Sequence, residues 1–167
     1  MIRILIKYVI MYVSLVLIQV LILNQVQFSG FVNPYMYILF ILLLPLKTPK
    51  YAVLILAFLL GVTIDIFSNT LGIHAAATVF IAFMRPLIIR IISGREEDRS
   101  DYPGLKQNKF RWFLYYTGLM VVIHHSMLFY LEIFTFSNFL STLFRILLSS
   151  LFSIFVIVLS QYLIFRE

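Results

Sequence analysis

Seven ionisable side chains of this sequence lie within or beside long apolar runs, where such groups are rare: Asp65, His74, Arg85, His124, His125, Glu132 and Arg145. Carboxylate and imidazole groups are common general acids and bases, and imidazole is a frequent metal ligand. Because a polar group among apolar residues needs a partner, each of these side chains is a candidate for chemistry or for a structural contact.

The spacing of these residues favours neither catalysis nor metal binding. His124 and His125 are adjacent, so on a helix they point about 100° apart and cannot easily bind one metal ion. The sequence contains no His-Glu-x-x-His pair, no Gly-x-Ser-x-Gly elbow, no Walker loop and no carboxylates at catalytic spacing. It also has no cysteine, which excludes disulfides, thiolate zinc sites and thiol nucleophiles. We therefore expect a protein that is not an enzyme, with no catalytic residue, metal or other cofactor.

Helical spacing places several ionisable residues on common faces with small or polar neighbours. Gly61 and Asp65 are four residues apart, so Gly61 lets a second backbone approach where Asp65 needs partners. Three further stripes are His74, Thr78, Ala82 and Arg85; Gly118, His125 and Glu132; and Arg145, Ser149, Ser153 and Ser160. Together with Asp65 they predict a polar seam inside a helical bundle, although small residues at this spacing are also typical of packing alone.

The composition indicates an integral membrane protein. Of 167 residues, 62% are hydrophobic and 12% are charged, whereas an ordinary domain has about a quarter charged residues. The mean hydropathy is +1.02. These values exclude a disordered chain, a coiled coil, a nucleic-acid-binding domain and a cytosolic enzyme.

Charged and turn-forming residues divide the chain into six apolar spans within one transmembrane domain, 1–167. The runs are continuously apolar rather than alternating, which favours helices over a β-barrel. The predicted spans are 4–23, 34–46, 51–68, 73–92, 112–131 and 141–165, with a polar loop at 93–111. The second span is short for a helix, since about 20 residues are needed to cross the hydrocarbon core.

Lysine and arginine placement predicts the orientation of these spans. The chain has 13 Lys and Arg residues. All except Arg85 and Arg145 lie at the chain ends, in the turn at 47–50, or in and directly beside the loop at 93–111, whereas 24–33, 69–72 and 132–140 contain none. By the positive-inside rule, both termini are cytoplasmic. The excess of positive charge therefore reflects orientation in a lipid bilayer rather than a nucleic-acid partner.

Two interpretations of Asp65 follow from its predicted position near the outer end of the third span. It is either a buried acid with its hydrogen bonds satisfied at a helix end, or a residue that binds a partner or ligand. Depth along the helices favours Arg145, or the nearby His74 and His125, over Arg85 as the partner of Asp65. We expect a buried pair between Asp65 and Arg145 that ties the third span to the sixth.

The stretch from Phe58 to Ala75 resembles the signature of the rod shape-determining MreD family. The resemblance lies in Gly61, the acid Asp65 four residues later, and a short polar turn closed by Leu71, Gly72 and Ala75. Pro34, at the start of the second span, is a weaker match. Chain length, the basic turns and the lack of a soluble domain agree with the family, so the resemblance covers nearly the whole chain.

The resemblance implies a multi-pass subunit of the bacterial cell-elongation machinery in the inner membrane. Such a subunit partners MreC and, through it, MreB, RodA and a class B penicillin-binding protein during rod-shape maintenance and peptidoglycan synthesis. The family also resembles, in fold, the six-helix substrate-binding (S) components of energy-coupling-factor transporters. Arg85 and Arg145 match no position of the family signature.

Two functions are therefore expected from the sequence. The first is a non-enzymatic scaffold that binds the transmembrane helix of MreC and closes its polar seam with internal pairs. The alternative is a transporter subunit that binds a small molecule in the seam, for which a ligand-sized cavity open to the outer face is expected.

Overall fold

The computed structural model describes residues 2–25, 32–93, 101–133 and 139–164. These residues form a helical bundle without a β-strand in the described ranges. The helices are α1 (Ile2–Leu21), α2 (Leu39–Leu43), α3 (Lys50–Ser68), α4 (Ile73–Ser93), α5 (Phe110–Ile133) and α6 (Phe139–Ile164), and a single 3-10 turn, Leu23–Gln25, extends α1.

Five of these helices are long and apolar enough to cross a membrane. Their apolar spans contain 19 to 25 residues once α1 includes its 3-10 turn, and at 1.5 Å per residue they match a hydrocarbon core of about 30 Å. The expected all-α membrane bundle is confirmed, and the chain is a multi-pass membrane protein by length and composition. The exception is α2, which has only five residues.

Helices that follow one another in the sequence pack as antiparallel pairs from α3 to α6. The α3–α4 pair has the most extensive contacts, followed by α4–α5 and α5–α6, and α1 packs on α3. The turn between α3 and α4 begins at Asn69, which adopts the left-handed conformation with φ of 54° and ends α3. Gly72 in the same turn has φ of +81°, a conformation that L side chains rarely adopt.

The second passage of the chain, residues 32–46, differs from the expected helix over 34–46. Only Leu39–Leu43 is assigned as α-helix, and residues 33–36 have no regular secondary structure. The segment runs antiparallel to α1, because Pro34 contacts Gln19 near one end of α1 and Leu43 contacts Tyr8 near the other. We call residues 32–46 the central segment.

Partial extension explains how so short a segment passes along the bundle. Gln19 and Tyr8 are separated by about 16 Å along α1. An extended residue advances about 3.3 Å, more than twice the advance of a helical residue. Every residue from Tyr35 to Leu42 is at most 9% exposed, so the segment lies within the bundle. Non-helical backbone is tolerated at membrane depth only when protein surrounds it in this way.

The basic loop predicted at 93–111 falls partly outside the described residues. Its described part, 101–109, lies against the end of the central segment, where the Leu46 amide donates to the Asp101 carbonyl at 2.9 Å. Lys47 forms an ion pair with Asp101 at 2.9 Å, and both side chains are exposed. Such exposed pairs contribute little stability.

Candidate functional site

Buried amide and hydroxyl side chains satisfy the backbone at the start of the central segment. Gln19 Oε1 accepts from the Met36 amide at 2.8 Å and the Tyr37 amide at 3.4 Å, and Gln19 Nε2 donates to the Pro34 carbonyl at 3.0 Å. Pro34 has no N–H, so it adds no donor to be satisfied. A proline at position 34 therefore suits this buried, non-helical stretch.

Two serines of α6 receive the remaining amides of the extended stretch. The Asn33 amide donates to Ser149 Oγ at 3.0 Å, and the Tyr35 amide donates to Ser153 Oγ at 2.9 Å. Two extended residues advance about 6.6 Å, and four helical residues advance about 6 Å. The serine spacing therefore matches alternate amides of the extended chain, and this register explains part of the stripe seen in the sequence.

His125 orients one of these serines. Its Nδ1 lies 2.8 Å from the Val121 carbonyl, which only accepts, so the ring proton lies on Nδ1. The other ring nitrogen, Nε2, then accepts from the Ser153 hydroxyl at 3.1 Å. The Ser153 oxygen is left to accept from the Tyr35 amide. His125 is completely buried, and both of its ring nitrogens form hydrogen bonds within the protein.

Three side chains satisfy the carbonyls at the C-terminal end of α2. The Tyr116 hydroxyl donates to the Leu42 carbonyl at 3.1 Å, the Tyr8 hydroxyl donates to the Leu43 carbonyl at 3.3 Å, and the Arg85 guanidinium donates to the Leu44 carbonyl. Arg85 Nε also donates to the Tyr116 hydroxyl at 2.9 Å. A cation at a helix C-terminus is electrostatically favourable, which explains a buried arginine that has no carboxylate partner among the described residues.

Asp65 performs the opposite task at the N-terminus of α4. Its carboxylate accepts from the His74 amide at 3.1 Å and from the Ala75 amide at 2.9 Å. It also accepts from the Thr70 hydroxyl at 2.5 Å and from His74 Nδ1 at 3.1 Å. An acid is favourable at a helix N-terminus. Asp65 is therefore a satisfied acid at a helix end, as one of the two sequence interpretations had it.

The remaining signature residues build the same turn. A Cβ atom on Gly61 would lie 2.3 Å from Ala75 Cα and 2.4 Å from Thr78 Oγ1, so the predicted close approach of two backbones at Gly61 is confirmed. Gly72 supplies the positive φ before α4 begins. Leu71 is fully exposed and makes no contribution to the core. The signature thus specifies a tight α3–α4 connection.

The predicted pair between Asp65 and Arg145 is wrong. Arg145 instead pairs with Glu132, with NH1 to Oε2 at 3.1 Å and NH2 to Oε1 at 3.2 Å, and its guanidinium lies 4.2 Å from the Phe129 ring centroid. The helix containing Arg145 follows directly after the helix containing Glu132, so the local α5–α6 pairing is preferred. His74, an alternative partner named from the sequence, does contact Asp65.

A cavity of about 350 Å³ lies at the end of the bundle where α3 turns into α4. Its polar wall includes Asn24, Tyr35, His74, Glu132 and Arg145, and its apolar wall includes Val20, Leu23, Phe67 and Leu128. The seam is therefore closed by hydrogen bonds along the central segment but open at this end.

Sequence reasoning missed two polar residues with central roles. Gln19 is completely buried, and Tyr116 links Arg85 to α2. Gln19 could have been identified from the sequence, because a side-chain amide within an apolar helix needs hydrogen-bond partners in lipid. A tyrosine in an aromatic-rich span gives no comparable signal.

The polar side chains described above form hydrogen bonds and cap helix ends. Within the described part of the chain, no three His, Asp or Glu side chains are grouped so that they could hold a metal ion. In the open cavity, interior polar groups meet solvent-accessible space of ligand size. Comparisons with family models, with curated proteins and with solved structures found no match for this chain.

Proposed function

We propose that this protein is a non-enzymatic membrane scaffold that binds the transmembrane helix of an MreC-type partner in the bacterial inner membrane. Through that partner it would take part in rod-shape maintenance and peptidoglycan synthesis with MreB, RodA and a class B penicillin-binding protein. The observation that supports a scaffold is the internal use of the polar seam. Gln19, Asp65 and Arg85 all bind backbone groups of the chain itself, as expected if they maintain the fold.

The lateral surface offers a place for the partner helix. A shallow, almost wholly apolar groove is lined by Val32 and by Leu148, Leu151, Phe152 and Phe155 of α6. Among the described helices, α6 packs chiefly on α5. Its outer face is an apolar stripe with Leu147, Leu151 and Phe155 each more than half exposed. A transmembrane helix fits such a surface.

Partner binding within the membrane also agrees with the small size of the connections between helices. A standard soluble interface buries about 800 Å² on each partner. The described connections at 44–49 and 69–72 are too short to provide such an area outside the bilayer. We therefore assign the partner contact to the groove on α6.

Cysteine crosslinking tests this assignment directly, because the chain contains no native cysteine. We expect Leu151→Cys to form a disulfide with a cysteine placed in the transmembrane helix of MreC. The matched control is Phe83→Cys on α4, which is equally exposed to lipid and lies outside the groove. Equal crosslinking at both positions would contradict docking at the groove.

Co-purification tests the wider proposal. Full-length MreC should co-purify with the tagged chain, whereas an MreC fragment without its membrane helix should not. Equal recovery of the fragment would contradict lateral docking, and no recovery of either form would contradict the scaffold function itself.

The cavity beside the α3–α4 turn favours a second candidate, a transporter subunit that binds a small molecule. Its volume of about 350 Å³ lies within the usual range of small-molecule sites, about 300–1,000 Å³. This candidate predicts that purified protein retains a small molecule in native mass spectrometry, and that it does not require MreC for stability. Stable MreC binding without a retained molecule favours the scaffold.

A further inference from the structure

We propose that the cavity beside the α3–α4 turn binds a small amphipathic amine, with its ammonium group held by Tyr35, His74 and Glu132. This inference deepens the second candidate function, on which it rests for a biological purpose, but binding itself does not depend on whether the protein is a scaffold. The proposal follows from unpartnered polar atoms, from the hydrogen-bonding character of the cavity wall and from its charge.

Two polar groups in the cavity wall have no hydrogen-bond partner among the described residues. The Tyr35 hydroxyl forms no hydrogen bond there, although the residue is only 9% exposed. His74 is 5% exposed, and its Nδ1 is used by Asp65 and Thr70 while its Nε2 is not used. Neither atom is sealed from solvent, and both residues line the cavity. Both atoms are therefore open to a bound molecule.

Asp65 determines which ring nitrogen of a neutral His74 carries the proton. The carboxylate also accepts two backbone amides and the Thr70 hydroxyl, so it is an acceptor toward His74 Nδ1. The proton of a neutral His74 then lies on Nδ1, and Nε2 presents a lone pair to the cavity. Together with the Tyr35 oxygen and the Glu132 carboxylate, this nitrogen places three acceptors in a wall that also contains the Arg145 guanidinium. A bound molecule with several N–H donors satisfies such a wall.

Charge favours a cation at this end of the protein. The charged side chains from residue 13 to 46, 51 to 84 and 112 to 145 are Asp65, Glu132 and Arg145. Arg145 is neutralised by Glu132 through two contacts. With neutral histidines the formal charge near the cavity is therefore −1, which attracts an ammonium group and repels a carboxylate or phosphate.

The opposite wall of the cavity is apolar and favours a ligand with an apolar body. Val20, Leu23, Phe67 and Leu128 face the same space. Burial of apolar surface on these side chains would add affinity at about 25 cal/mol per Å² before the costs of ordering the ligand. A phenylethyl group is of suitable size for a cavity of about 350 Å³.

Three probes that share the phenylethyl group test the proposal: 2-phenylethylammonium, 2-phenylethanol and 3-phenylpropionate. Each is added to the full-length protein purified in detergent, and the Tm is measured. We expect the ammonium probe to raise the Tm by about 3–6 °C at about ten times its Kd, with a smaller rise for the alcohol and none for the carboxylate. Equal shifts for all three would show apolar partitioning only and would overturn the proposal. No shift with any probe would show a cavity that holds water only and would also overturn it.

The Tyr35→Phe variant tests whether the ammonium probe binds in the cavity. Because the hydroxyl has no partner among the described residues, its removal should leave the Tm of the unliganded protein unchanged. It should weaken the ammonium probe about tenfold, which is the effect of one lost hydrogen bond. Tyr115→Phe on the exposed face of α5 is the matched control and should change neither quantity. An unchanged affinity in Tyr35→Phe would refute this assignment.

Labelling provides a second readout that does not depend on thermal melting. In the cysteine-free chain, Phe67→Cys lies in the cavity wall and Leu71→Cys is fully exposed outside it. The ammonium probe should slow maleimide labelling at position 67 and leave labelling at position 71 unchanged. Labelling slowed equally at both positions, or at neither, would count against the site. These measurements detect ligand binding alone, so their failure leaves the crosslinking test of MreC binding unaffected.

Discussion

Gln19, Asp65 and Arg85 share one physical task, although they differ in charge and lie on different helices. Each satisfies backbone groups at the end of a helix that is not its own. Gln19 accepts amides at the start of the α2 region, Arg85 donates to a carbonyl at its end, and Asp65 accepts amides of α4. In lipid no water replaces these bonds, and each unsatisfied backbone group costs several kcal/mol. The hydrogen bonds that these side chains form with backbone groups therefore offset the free-energy cost of inserting them into lipid.

Gln19→Leu is expected to destabilise the protein strongly. The change keeps the approximate size of the side chain but removes partners from the Met36 and Tyr37 amides and the Pro34 carbonyl. An unsatisfied buried polar group costs about 1–3 kcal/mol. Because Gln19→Leu leaves two or more such groups, we expect the free energy of unfolding in detergent to fall by about 2 kcal/mol or more. Gln25→Leu, at an exposed position on the same end of α1, is the control and should stay within about 0.5 kcal/mol of the unchanged protein.

Double-mutant cycles separate the partners of Asp65. Asp65→Ala and His74→Ala should be non-additive, because the two side chains share hydrogen bonds. Asp65→Ala and Arg145→Ala should be additive to within about 0.5 kcal/mol, because the two residues share no hydrogen-bond partner among the described residues. The measurement is the free energy of unfolding of each single and double variant. Strong coupling between Asp65 and Arg145 would restore the pair predicted from the sequence.

The sequence identified most of the buried ionisable residues but, apart from His74 beside Asp65, not their partners. Asp65, Arg85 and Arg145 are recognisable because charged groups are rare in apolar runs. Arg85 binds the Leu44 carbonyl, Asp65 binds the first amides of the helix that follows it, and Arg145 binds Glu132 of the preceding helix. A depth estimate along ideal helices accounts for none of these contacts. It therefore paired Asp65 with Arg145, which in the structure binds Glu132.

At the scale of elements, the α3–α4 pair was the most predictable part of the fold. Gly61, Asp65 and the polar turn that follows are close together in sequence, so their spacing alone indicates a tight connection between two helices. The central segment was not predictable in the same way. Its extended backbone depends on Gln19 before it and on Ser149 and Ser153 more than a hundred residues later. The sequence of residues 34–46 contains no local pattern that indicates those hydrogen-bond partners.

Gly61→Ala is expected to separate α3 from α4. The added methyl group would meet the backbone of Ala75 at 2.3 Å, and backbone atoms cannot rotate away as a flexible side chain can. Overpacking of this kind costs about 1–3 kcal/mol. Gly118→Ala on α5 is a matched control, because nothing lies within 4 Å of the added atom. There the change should stabilise the helix by about 0.4–1 kcal/mol. Thermal melting of both variants measures the difference, and a neutral Gly61→Ala would contradict the close approach.

At the scale of the whole molecule, hydropathy and turn residues were sufficient to predict a multi-pass helical bundle. Long apolar runs become helices in lipid because only that structure satisfies every backbone group locally. The central segment completes six passages between the two ends of the bundle, even though only five helices in the described part of the chain are long enough to span a membrane. Both described chain ends lie at the same end of the bundle, since Tyr8 contacts Leu43 and Gln161 contacts Leu105.

Which end faces the cytoplasm is a prediction from charge, and labelling tests it. The end with the α3–α4 turn has no lysine or arginine in its connections, whereas the other end has Lys47, Lys50 and the basic residues of 93–111. By the positive-inside rule the α3–α4 turn lies outside. Leu71→Cys, whose side chain makes no core contact, should react with a membrane-impermeant maleimide added to intact cells. Gln107→Cys should react only after the membrane is permeabilised. The reverse labelling pattern would show that the protein has the opposite orientation in the membrane, with the cavity on the cytoplasmic side.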